Sequence, residues 1–96
     1  MPTTHSEYKV YGGKLIRVSL TVEAGVIVDL KITGDFFMHP EESIVGLEAH
    51  LRGLTVDAAS LSEHIAGYLK RNRVKMLGAS SKDFATAILR ALDKLR

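Results

Sequence analysis

From Lys14 to Thr33 apolar and polar residues alternate with a period of two, the spacing that gives a β-strand one face of each kind. In the first run Ile16, Val18, Leu20 and Val22 fall on one side and Arg17, Ser19, Thr21 and Glu23 on the other. Ala24-Gly25 interrupts the alternation with a glycine able to take the positive φ of a tight reversal. Beyond it Val26, Val28, Leu30 and Ile32 alternate with Ile27, Asp29, Lys31 and Thr33. The two runs predict an antiparallel hairpin whose even-numbered residues want a cover. Tyr8, Val10 and Tyr11 predict a shorter strand that stops at Gly12-Gly13, with structure beginning near Glu7 and residues 1–6 forming a loose lead-in.

After Gly34 the period changes to that of helices. His39-Pro40-Glu41-Glu42 predicts a helix start, because proline suits the first helical position and carboxylates favour the positive end of the dipole. Ile44, Leu47 and Leu51 form its apolar stripe and Gly53 its stop. A second helix starts at Asp57, or at Ser60 with Glu63 as a capping box, and turns Leu61, Ile65 and Leu69 inward. Lys70 to Ala79 is a basic connector, and Ser80 or Ser81 caps a last helix on which Phe84, Ile88, Ala91 and Leu95 share a face. Strands first and helices afterwards predict an α+β domain, a small antiparallel β-meander with three helices packed on one face.

Composition narrows the possible chemistry. Ninety-six residues suit one domain over residues 1–96, and 46% apolar with 25% charged residues suits a folded soluble one. A net charge of +2 is too small a field to demand nucleic acid or an anionic membrane. Without cysteine there is no disulfide framework, thiolate metal site or thiol nucleophile. The polar N-terminus and the lack of a run of roughly 18 apolar residues predict a cytoplasmic chain without a membrane association. His5, His39, His50 and His64 show no i, i+4 pair for a metal, and adjacent Glu41 and Glu42 point in different directions. With no Gly-x-Ser-x-Gly elbow, Walker loop or GxGxxG turn, no catalytic residue and no metal ligand is expected within this chain.

Three features carry candidate binding chemistry. Gly12, Gly13 and Lys14 place backbone amides and an ammonium where an anion such as phosphate can approach, or else form a turn feeding the strand. Asp35, Phe36 and Phe37 close the second long strand, and two consecutive rings on an extended chain face opposite sides, so one can be presented to a partner; the alternative packs both beneath the first helix. Lys70, Arg71, Arg73 and Lys75 put four cations in six residues, a possible nucleic-acid contact through 70–75 or a solvated connector.

Lys9-x-x-Gly12-Gly13-Lys14-Leu15, the alternating hairpin, and Gly34-Asp35-Phe36-Phe37 just before Pro40-Glu41-Glu42 together resemble the accessory domain of lipoate-protein ligases. The likeness is best from Glu7 to Leu54, and Ser80 to Leu92 is similar to the family's closing pattern, whereas Lys70 to Ala79 departs from it. In that family the domain is fused behind a catalytic domain or made as a separate small subunit, and a chain opening at its own Met1 resembles the separate form. The resemblance implies a fold similar to the iron-sulfur assembly proteins of the SufE/NifU type. It also implies a heterodimer with a large catalytic subunit. The complete ligase uses ATP, Mg and lipoate to make lipoyl-AMP and then moves the lipoyl group to a lysine of an acceptor domain, the small subunit being needed for the first step. The pocket signature Arg-Arg-x-x-Gly-Gly-Gly has no match here. On this resemblance Gly12, Gly13 and Lys14 are expected near the substrate phosphates and Asp35, Phe36 and Phe37 at the partner interface.

Overall fold

The alternating runs form a hairpin that a third strand joins on its first edge. The computed structural model describes residues 3–12 and 14–95. In chain order the elements are β1 (Thr3–Lys9), β2 (Leu15–Glu23), β3 (Val26–Gly34), β4 (Phe37–His39), α1 (Ser43–Leu51), α2 (Ala58–Arg71), β5 (Lys75–Leu77) and α3 (Ser81–Asp93). β1, β2 and β3 make an antiparallel meander with β2 in the middle, and β4 pairs with β5 in a separate two-stranded ribbon. Helix α3 lies against β1 and β2, α1 against β3, and α2 against α3 and α1. Ile16, Leu20, Leu30, Leu47, Ile65, Phe84 and Ile88 are at most 1% exposed in one continuous core between sheet and helices. The α+β meander read from periodicity is therefore the fold.

Five local expectations are corrected. Residues 3–6 are not a loose lead-in, because β1 begins at Thr3 and pairs with β2 from Thr21 onward. Its buried side chains are polar: Thr4, and Ser6, whose Oγ donates to the Ala87 carbonyl of α3 at 2.7 Å. A search for alternating apolar residues passes over such a strand. In β3 the inward set is not uniformly even-numbered. Thr21 opposes Asp29 but Val22 opposes Ile27, so Val28 is an extra residue, a bulge that reverses the parity behind it. Ile27 is 1% exposed and Val28 37%.

Helix α1 begins three residues later than its proline suggests. His39 is engaged in β4, so Pro40–Glu42 form the reversal and Glu42 is the N-cap, without a side-chain cap bond. The residues 70–79 are not a plain connector either: they hold the end of α2, a turn with Arg73 at φ +52°, and β5. Leu95 lies beyond α3 and is 36% exposed, so the last helix buries Phe84, Ile88 and Ala91 but not that residue. Elsewhere the capping chemistry decides between alternatives. Asp57, not Ser60, caps α2 by accepting from Ala59 N–H at 3.0 Å, and Ser80 caps α3 in a reciprocal box with Asp83.

The free edge of β3 is covered. Glu48 on α1 is 9% exposed, and its Oε2 accepts from the Ile32 N–H at 2.6 Å, satisfying an edge amide that would otherwise be buried without a partner. At the other end of β3, Ile27 exchanges hydrogen bonds with the loop after α1, to Leu54 at 2.9 Å and from Gly53 at 2.8 Å. Gly53 turns there at φ +89°, the left-handed stop that follows a helix. No helix among the described residues is long and apolar enough to cross a membrane.

Candidate functional site

The candidate residues gather at the end of the sheet where β1 turns into β2 and β3 runs out. The loop 10–14 is closed by Val10 N–H donating to the Lys14 carbonyl at 2.6 Å, with Gly12 exposed at φ +100°. Gly13 lies outside the described residues. The start of β2 is fastened to the end of β3 by two bonds. Leu15 N–H donates to Asp35 Oδ1 at 2.6 Å, and Asp35 N–H donates to the Leu15 carbonyl at 3.2 Å. Asp35 thus serves the fold locally, since its carboxylate anchors the segment that carries Lys14.

Lys14 is exposed, but its stem is seated. Gly78, at φ +90° just after β5, leaves so little room that a Cβ there would come within 2.8 Å of Lys14 Cγ and 3.2 Å of both Cδ and Cε. A glycine therefore lets the lysine lie across the turn that follows β5. The two rings separate as an extended chain requires. Phe36 is half-buried, edge-on to Phe84 with centroids 4.9 Å apart and planes at 69°, whereas Phe37 is 68% exposed. Of the two readings of this pair, packing both rings inside fails, and one ring is left outward. Across the ribbon Phe37 opposes Leu77, which is 73% exposed, while Met38 opposes Met76 on the inward side. Beside Phe37 a groove is lined by Phe36, Met38, Glu41 and Ile44.

Leu77 escapes the sequence reading, and Gly78 enters it only as the end of the basic connector. Both sit in a stretch whose obvious feature is charge, and a three-residue strand is too short for its alternation to register. The cations of that stretch do not form one patch on a single element: Arg71 ends α2, Arg73 is in the turn and Lys75 is in β5. His50 and His64, on separate helices, come to 6.3 Å between ring centroids, with His50 also 5.4 Å from Tyr68. Among the described residues no group of three or more His, Cys, Asp or Glu is arranged to hold a metal. Elsewhere on the sheet a second groove is lined by His5, Ser19, Lys31, Thr33 and an exposed Glu7–Arg17 pair at 3.7 Å. Binding is the chemistry that the Lys14 end can offer: an ammonium, exposed loop backbone and outward apolar side chains.

Fold and site together define a small α+β domain of the meander-and-helices kind, with its candidate residues at one end of the sheet. A family model, bacterial lipoate protein ligase C-terminus, matches residues 3–88, and the chain belongs to that family. It is 36% identical over 74 residues to lipoate-protein ligase A subunit 2 of Thermoplasma acidophilum, covering 77% of this chain and 76% of that protein. A solved structure of an archaeal lipoylation system, a bi-partite lipoate protein ligase and its E2 lipoyl domain from Thermoplasma acidophilum, contains a similar chain. That likeness has a TM-score of 0.78 at 34% identity and covers 90% of this chain and 93% of the other.

Proposed function

We propose that this chain is the accessory subunit of a two-part lipoate-protein ligase, paired as a heterodimer with a large catalytic subunit. In this reading the pair activates lipoate with ATP and magnesium to lipoyl-AMP, and the lipoyl group then passes to a lysine of an acceptor domain. The observation that carries it is the near end-to-end likeness, at 34% identity, to a chain of a bi-partite ligase. None of the related proteins favours nucleic acid as the partner. The large subunit holds the substrates and the metal, and the small one acts by closure. An acyl-adenylate is lost to water unless its site is shut, and a lid that excludes water also strengthens each electrostatic contact inside.

Within that role Gly12 and Lys14 face the phosphate side of the closed site, the ammonium offsetting charge that develops as pyrophosphate leaves. Phe37 meets the catalytic subunit, Phe36 supports it from beneath and Asp35 holds the Lys14 segment in place. The test is formation of lipoyl-AMP from lipoate, ATP and magnesium by the large subunit with and without this chain. Adenylate is expected only with both, and equal yield from the large subunit alone would overturn the reading. In the same assay Lys14→Ala is expected to slow adenylation about tenfold, equivalent to about 1.4 kcal/mol, while its melting temperature stays near that of the parent because the side chain is exposed. An unchanged rate removes Lys14 from the mechanism.

A further inference from the structure

A folded chain has no internal need of an apolar residue at position 77. Met38 and Met76 turn inward from the ribbon, yet Phe37 and Leu77 oppose each other on its outer side at 68% and 73% exposure. The other large exposed apolar side chains among the described residues, Tyr11, Val28, Val45 and Leu95, have no such opposed pairing. Charge surrounds the pair asymmetrically. Lys75 shares the outward side of β5 with Leu77, two residues along, and the Lys14 stem lies over Gly78 on the other side. Along the chain Leu77 thus stands between Lys75 and the glycine that the Lys14 stem lies against, and Glu41 lines the groove beside Phe37.

Resting on the accessory-subunit reading, we propose that the outer face of the β4–β5 ribbon is where the catalytic subunit docks, through an apolar pocket bordered by carboxylates. Phe37 and Leu77 are the anchors, and Lys14 and Lys75 supply a basic border. An apolar centre with a charged rim is the anatomy of a specific interface, where a few buried anchors carry most of the affinity and the rim sets orientation and encounter rate. The charge pattern also selects the kind of partner. The lysines at the border suit a partner that presents carboxylates, and the likeness to a chain of a bi-partite ligase makes the other part of that ligase the occupant. Lys14 then joins the two regions, since it borders the ribbon and belongs to the loop assigned to the phosphate side.

The experiment is titration of the purified large subunit with this chain and with Leu77→Ser, Phe37→Ser, Lys75→Glu and Val28→Ser, each first checked for a parent-like circular dichroism spectrum and melting temperature. Val28 is the control, an exposed residue of the bulge at the far end of the sheet. We expect Leu77→Ser and Phe37→Ser to weaken binding at least tenfold and Val28→Ser to bind as the parent does. Lys75→Glu should weaken it and reduce its sensitivity to salt. If the parent binds and Leu77→Ser binds equally well, the ribbon is not the docking face although the accessory reading survives. If the serine variants and Val28→Ser weaken binding alike, the ribbon assignment falls in the same way. If the parent does not bind the large subunit, or only self-associates, both readings fall.

Discussion

Phe84→Ala is expected to lower stability by about 3–5 kcal/mol, the usual loss when a fully buried ring becomes a methyl group. Phe84 is 0% exposed near the start of α3, the helix that lies against both β1 and β2. Its ring meets Phe36 edge-on at 4.9 Å, so the truncation opens a cavity and removes the support that ties the segment between β3 and β4 to the core. The whole stability of a domain is about 5–15 kcal/mol, so the change is a large part of it. Thermal melting should show a fall of roughly 15–30 °C. Phe84→Leu keeps most of the volume and should lose less than half as much. A loss below about 1 kcal/mol in the alanine variant would mean that the core is not closed by this ring.

The contrast between Phe84 and Leu77 shows what a sequence makes legible. Phe84 recurs with Ile88 and Ala91 at helical spacing, so its burial follows from local periodicity. The same holds for Ile16, Val18, Leu20 and Val22, which all turn inward as their alternation requires. Caps were legible for a similar reason: Asp57 and Ser80 act on amides two or three residues ahead. Strands β4 and β5 were not, because each is three residues long and is held by a partner far away in sequence. Thr4 and Ser6 were hidden by their polarity, since their burial depends on α3 lying over them. The parity change in β3 was invisible because Val26, Ile27 and Val28 are equally apolar, and only pairing with β2 decides which becomes the extra residue.

The candidate site divides along the same line. Gly12, Lys14, Asp35 and Phe37 were legible as short motifs, and their gathering at one end follows from the hairpin register that sets Ile16 opposite Gly34. The bond from Leu15 to Asp35 and the seat of Lys14 on Gly78 depend on tertiary closure. No spacing rule reaches them. A residue read as an interface candidate therefore proves to hold two strand ends together, and a glycine in a charged stretch proves to set the position of the lysine.

Gly34→Ala tests that junction most directly. Gly34 ends β3 at φ +157°, and a Cβ there would be driven into the carbonyl oxygen of Leu15, with Phe36 Cδ1 a further 3.1 Å neighbour. The oxygen has little freedom to retreat, since it accepts the Asp35 N–H at 3.2 Å while the Leu15 N–H is held by the Asp35 carboxylate at 2.6 Å. Backbone meets backbone, so no rotamer change relieves the contact. We expect a loss of about 2–4 kcal/mol, read from urea denaturation with an unchanged slope. Gly12→Ala is the comparison that isolates the cause. Gly12 also has positive φ, at +100°, but a Cβ there meets nothing within 4 Å, so only conformational strain of about 1 kcal/mol is added. If the two variants lose the same amount, backbone conformation explains both and the Leu15 carbonyl gives way. If Gly34→Ala loses the larger amount, the clash dominates. Its lipoyl-AMP rate at a temperature where the variant is still folded should then fall at least as far as that of Lys14→Ala, because the displaced residue is the one to which Lys14 is joined.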